Sequence, residues 1–190
     1  MKKGIKITAI IFVFFALVYG GKYLYDIHLN YNFDTITANK VYKSGVIPPD
    51  KIKQYVEKYK IKSIIDLRMP GTNDLVLNPE IPGELQLERE AVSKIKGVNY
   101  FNNPSEQIPN QKNIAKFKLI MDNPKNYPVL IHCHHGTGRA ILYSAIYRIE
   151  YENFTNEQAR LDTRGLVKFS SFDNGTPKGE YLKSYVSIKK

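Results

Sequence analysis

Cysteine is almost missing from this sequence. Only Cys133 is present, so no intramolecular disulfide framework can form. A lone cysteine is either inert core filler or a reactive thiol, and its neighbours decide which. Acidic residues are also in short supply: 18 Asp and Glu stand against 28 Lys and Arg, a formal charge of +10. That balance favours anionic partners such as phosphorylated molecules or acidic lipid headgroups. Dense basic runs are missing too. The largest clusters, Lys58–Lys62 and Lys189–Lys190, are too small to argue for nucleic acid, and no nucleic-acid partner is expected. Neither internal repeats nor low-complexity runs occur. What remains is ordinary for a folded chain: 190 residues, 43% of them apolar, with room for one globular domain and a short appendage.

The appendage is the first 21 residues. A basic start, Met1-Lys2-Lys3-Gly4-Ile5-Lys6, precedes the uncharged stretch Ile7 to Gly21. Fifteen helical residues span roughly 22 Å, short of a ~30 Å hydrocarbon core. Lys6 and Lys22 can snorkel outward, and Tyr19, Tyr23 and Tyr25 suit the interface, so residues 1–21 read as a membrane anchor. The competing reading is a cleaved signal peptide, with Val18-Tyr19-Gly20 as a mediocre cleavage site. Under the anchor reading the basic start stays inside and the domain faces outward, periplasmic or extracytoplasmic; under the other the domain is secreted. Residues 22–40, polar and aromatic without periodicity, read as a tether, and 41–190 as the domain.

Within the domain, short apolar runs alternate with helical patterns. Strands are expected at Val41–Ser44, Ser63–Leu67, Val98–Phe101 and Pro128–Ile131. Helices are expected after Pro48-Pro49, with Ile52, Tyr55, Val56 and Tyr59 on one face, and over Glu84–Lys96. Asn110 caps a third carrying Ile114, Phe117, Ile120 and Met121 inward, and another runs from Ala140 to Glu150. Thr155-Asn156-Glu157-Gln158 is a capping box for one more. Long surface loops are expected over Met69–Pro82 and Asn102–Gln111. The alternation implies an α/β fold, a mainly parallel central sheet flanked by helices.

His132-Cys133-His134-His135-Gly136-Thr137-Gly138-Arg139 lies between the strongest buried-strand signal and a helix start. Unpaired N–H groups and the dipole at a helix N-terminus make that turn an anion site, and the same field favours a thiolate. Gly136 and Gly138 let successive N–H groups curl inward, and the planar fork of Arg139 suits two phosphate oxygens. A glycine-rich loop so placed is hard to obtain by accident. The three histidines are too close in sequence to converge easily on one ion, so no metal is expected.

His-Cys-x-x-Gly-x-x-Arg resembles the signature of the cysteine-based protein tyrosine and dual-specificity phosphatases. Val41-Tyr42-Lys43-Ser44-Gly45, Ile64-Ile65-Asp66-Leu67-Arg68 and Pro128-Val129-Leu130-Ile131-His132-Cys133 are similar to bacterial and plant-type dual-specificity enzymes. The resemblance covers roughly residues 40 to 165. It implies a phosphatase-like fold, attack by Cys133 on a phosphate monoester, a cysteinyl-phosphate intermediate and hydrolysis by water. Arg139 would hold the phosphate beside His134, His135, Gly136, Thr137 and Gly138, with His132 orienting the loop. Sulfurtransferases have a related loop, but with the arginine one residue earlier.

Two positions depart from the pattern. The Ser or Thr that follows the arginine in many such enzymes, and helps the thiolate leave, is Ala140, which implies slow breakdown of the intermediate. The aspartate acid expected about thirty residues before the cysteine falls on Asn102 and Asn103. Glu106 is the one carboxylate between Val98 and Met121 and is the candidate acid, with Asp66 as the alternative or as a brace. Expected substrates are phosphoproteins, then phospholipid or phosphoinositide headgroups. A non-catalytic phosphate-binding module is the rival reading.

Overall fold

A computed structural model describes residues 2–70, 83–164 and 170–187, with side chains placed from residue 11 onward. Most of the expected loop Met69–Pro82 lies outside the described residues. The elements are α1 (Lys2–His28), β1 (Asp34–Thr37), β2 (Val41–Ser44), α2 (Ile52–Tyr59), β3 (Ser63–Asp66), α3 (Glu84–Ser93) and β4 (Asn99–Asn102). They continue with α4 (Gln111–Met121), β5 (Val129–His132), α5 (Arg139–Tyr151), α6 (Asn156–Arg164) and α7 (Pro177–Ser184).

The strands form one sheet in the order β1-β2-β5-β3-β4. β2, β5, β3 and β4 are parallel, and β1 pairs antiparallel with β2 at one edge. β5 lies in the middle and every residue of it is buried. A strand covered on both faces needs apolar side chains pointing both ways, which is why Val129-Leu130-Ile131 reads as an unbroken apolar run. Val129 and Ile131 join Val41, Ile65, Phe117, Tyr143, Tyr147, Ala159 and Leu182 in one core, under α4 to α7. Leu130 turns the other way, into a second core with Tyr42, Ile64, Ile52, Val56 and Val92, under α2 and α3.

Local chemistry ends the helices where the sequence says. The Asn110 side chain accepts from Asn113 N–H, and the Asn113 side chain accepts from Asn110 N–H in return. Thr155 and Gln158 form the same reciprocal pair before α6. α3 is shorter than expected, ending at Ser93 rather than Lys96.

Residues 22–40 are not a tether. α1 continues through Lys22–His28, and β1 then adds a strand to the sheet. Phe33 is buried, its ring 4.3 Å from Tyr59 and 5.5 Å from Tyr42, centroid to centroid. The segment lacks periodicity because one aromatic anchor and four strand residues hold it. The sheet therefore begins at Asp34, ahead of residue 41.

The apolar leader does form a helix, but among the described residues no helix is long and apolar enough to cross a membrane. The expected membrane-spanning anchor is thus without structural support. Phe12, Phe14, Leu17 and Tyr19 of α1 are each more than 60% exposed.

A chain beginning at Val41 is expected to lose about 3 kcal/mol or more against one beginning at Leu29, because removing a buried phenylalanine alone costs ~3–5 kcal/mol. Urea unfolding of the two measures the difference. Equal midpoints would mean that β1 and Phe33 add nothing.

Candidate active site

The loop expected to carry chemistry joins the central strand β5 to α5. Its shape rests on a backbone-to-backbone contact with the turn after β2. Gly136 has φ of +75°, and a Cβ there would lie 2.3 Å from Gly45 N and 2.5 Å from Ser44 C. A Cβ on Gly45 would in turn lie 2.9 Å from His134 O. Both residues must be glycine for the two chains to touch. Around that contact, Val46 N–H donates to His134 O at 2.9 Å and the Asn32 amide donates to His135 O at 2.9 Å. Tyr31 O accepts from Gly45 N–H at 2.7 Å, so the segment after α1 braces the loop as well.

Within this frame Gly136 N–H donates to Cys133 Sγ at 3.3 Å. Cys133 is buried but borders a cavity of about 580 Å³, which His135, Thr137, Gly138 and Arg139 also line. His134 and Gly136 do not line it. The His134 ring packs edge-on against His135, centroids 4.6 Å apart, and its Nδ1 lies 3.9 Å from the Glu84 carboxylate. Burial, with His135, Arg68 and Arg139 adding repulsion, lowers its pKa and favours the neutral ring.

Arg139 begins α5 and is held from behind. Its Nη1 donates to Leu67 O at 2.9 Å and to Ser105 O at 3.1 Å. Ser105 is fixed by the Tyr143 hydroxyl, which donates to Ser105 Oγ at 3.0 Å. One edge of the guanidinium is thus tied to the scaffold while the residue lines the cavity. Ala140 is fully buried, and Ser144, one turn later, uses its hydroxyl on the Ala140 carbonyl.

Beneath the loop lies a buried charged cluster. Arg68 donates through Nη2 to Asp66 at 2.8 Å and to Glu88 at 2.5 Å, and its Nε also reaches Asp66. Tyr100 donates its hydroxyl to Asp66. His132 Nε2 is 3.0 Å from Glu88 and 3.7 Å from Asp66. Burial works against a charge on His132, but Glu88 and Asp66 outweigh it and raise its pKa. Burial likewise opposes charge on Asp66, yet His132 and Arg68 hold its pKa down. The cluster thus sets two carboxylates against the Arg68 guanidinium and the His132 ring. Asp66, Glu88 and His132 are close enough to share a metal ion, but the Arg68 guanidinium already lies on both carboxylates.

This arrangement sorts the two acid candidates. Asp66 is wholly buried and engaged with Arg68 in the cluster. Glu106 is exposed, and its loop gives Gln107 and Ile108 to the cavity instead. Asn102 and Asn103 serve the backbone: Asn102 donates to Asp66 O and Arg68 O, and Asn103 to Asn113 O. Sequence reasoning missed Glu88, Ser105, Tyr143 and Lys178, the last lining the cavity from the start of α7. For Glu88 a signal existed, since it lies four residues before Val92 on the buried face of α3. For Ser105 and Lys178 nothing local in the sequence marks the role.

No family model and no curated protein sequence matches the chain. Solved structures do. The catalytic core of the PP-IP phosphatase Siw14 from S. cerevisiae superposes with a TM-score of 0.58 at 18% identity, covering 82% of this chain and 85% of that one. P. aeruginosa TpbA gives 0.59 at 14% identity, covering 83% and 86%. A mutant form of Tk-PTP gives 0.57 at 17% identity, covering 80% and 91%. The chain has the fold of the cysteine-based protein tyrosine and dual-specificity phosphatases.

Glu88→Gln is expected to destabilise the domain by ~3 kcal/mol at neutral pH, as removal of one partner from a buried ion pair does. Its pH dependence carries a sign. The raised His132 pKa gives a contribution fully present below the unfolded value of about 6.5 and lost as pH rises through the folded value. Urea midpoints of the parent should fall across that rise, and Glu88→Gln should flatten the fall. Identical profiles would remove the cluster from the account.

Proposed function

We propose that this protein hydrolyses phosphate monoesters through a cysteinyl-phosphate intermediate on Cys133. The observation that carries the reading is Cys133 Sγ accepting from Gly136 N–H at the edge of a cavity that Arg139 lines. A phosphate dianion seated there meets inward N–H groups and a guanidinium already fixed by Leu67 and Ser105. Sγ forms a bond to phosphorus as the ester bond breaks, and water then releases inorganic phosphate and the thiolate.

Phosphorylated protein side chains are the substrate class that best fits. TpbA has been crystallised with phosphotyrosine in a variant that superposes with a TM-score of 0.50, and the cavity here has an open mouth. A lipid phosphate is the outcome to watch for. α1 places an uncharged run, with Tyr19 and Tyr23 exposed near its end, ahead of the domain. We propose that this helix holds the protein at a membrane surface through its uncharged run. Deleting residues 2–21 should then move the protein from the membrane to the soluble fraction; an unchanged distribution would remove the anchor.

The test of activity is hydrolysis of an aryl phosphate by the full chain in the presence of a chelator, beside Cys133→Ser and Arg139→Ala. Turnover should survive the chelator and fall at least ~10³-fold in both variants, a loss on the scale of removing a nucleophile or its oxyanion partner. A folded but inactive parent that still binds vanadate would make the protein a phosphate-binding module.

A further inference from the structure

The leaving oxygen of an alkyl phosphate needs a proton, and the cavity wall supplies no carboxylate among the described residues. The opposite wall, built by the start of α7, supplies Lys178. Its Nζ lies 3.0 Å from the point where a Cβ on Gly138 would sit, and Gln107 Oε1 lies 3.5 Å from the same point. Lys178 thus faces the catalytic loop at Gly138, where Gln107 of the Asn102–Gln111 loop also comes close. The lack of a side chain on Gly138 is what leaves the ammonium room. The ammonium also sits 5.8 Å from the Phe172 ring centroid and has no carboxylate partner among the described residues.

We propose that Lys178 is the proton donor to the leaving group. This rests on the phosphatase reading and adds to it the acid that the sequence does not show. As Sγ bonds to phosphorus, the electron pair of the breaking P–O bond goes to the leaving oxygen, which takes a proton from Nζ and departs as an alcohol. The neutral amine then takes a proton from the attacking water. The new O–P bond forms, the S–P bond breaks, and thiolate, ammonium and inorganic phosphate result. Burial of Lys178 lowers its pKa, with the Cys133 thiolate opposing and Arg139 adding to the shift. That direction suits a lysine that must part with its proton. His135 is the other titratable group on the cavity wall besides Cys133, but it is exposed.

The experiment compares an aryl phosphate with an alkyl phosphate across the parent, Lys178→Met, Lys178→Arg, His135→Gln and Glu106→Gln, each checked for a cooperative thermal transition. Lys178→Met should lose about 10²-fold on the alkyl ester and far less on the aryl ester, whose phenolate leaves without help. Lys178→Arg should resemble Met on the alkyl ester, because a guanidinium keeps its charge but not a usable proton. Propylamine added to Lys178→Ala should restore alkyl turnover. The proposal is overturned if Arg restores the alkyl rate, if Met lowers both esters equally, or if the selective loss appears in His135→Gln or Glu106→Gln. A parent that leaves the aryl ester intact, or a Cys133→Ser variant that cleaves it, overturns the phosphatase reading instead.

Discussion

The main chain after β5 lies directly on the main chain after β2, and with glycine at both Gly136 and Gly45 no side chain comes between them. Sγ of Cys133 receives its N–H because Gly136 adopts a left-handed conformation at that contact. Arg139 follows three residues later and starts α5, so its direction is set by the same turn. The rest of the domain keeps this contact in place. β2 and β5 are neighbours in the sheet, with Ser44 paired to His132, so their ends leave together at the same edge. Asn32 and Tyr31 hold the pair from outside, and the Asp66–Arg68–Glu88–His132 cluster holds it from below.

That cluster shows why a buried ion network can be tolerated under a reactive thiol. Isolated charges would be costly there, but Arg68 bonds two carboxylates and His132 balances the second. It ties three elements together: β3 through Asp66, α3 through Glu88 and β5 through His132. Apolar residues packed there would not fix the orientation of the His132 ring, and the residue after it is the proposed nucleophile.

Strand and helix positions were legible because periodicity and capping chemistry are local. Leu130 between Val129 and Ile131, Asn110 with Asn113, and Thr155 with Gln158 all act within a few residues. The cysteine loop stands out in the sequence because its glycines, cysteine and arginine fall within eight consecutive positions. What escaped was set by long-range contacts. Asp34–Thr37 is a strand because β2 is there to pair with, and Phe33 is buried because Tyr42 and Tyr59 come from elsewhere. Glu106 is the carboxylate at hand in the sequence, and the fold puts its neighbour Gln107 on the cavity wall. Lys178 lies 45 residues beyond the nucleophile in sequence and reaches the cavity only because Leu182 and Phe172 pack the last helix onto the domain.

The central claim is a covalent bond between Cys133 and phosphorus. Rapid quenching during aryl phosphate turnover, read by intact-protein and peptide mass spectrometry, tests it directly. With Ala140 in place of a hydroxyl residue, a burst of phenol close to one equivalent is expected, followed by slow turnover, with a phosphoryl group on the Cys133 peptide. Steady hydrolysis with no modified Cys133 at any quench time, persisting in Cys133→Ala, would contradict the account.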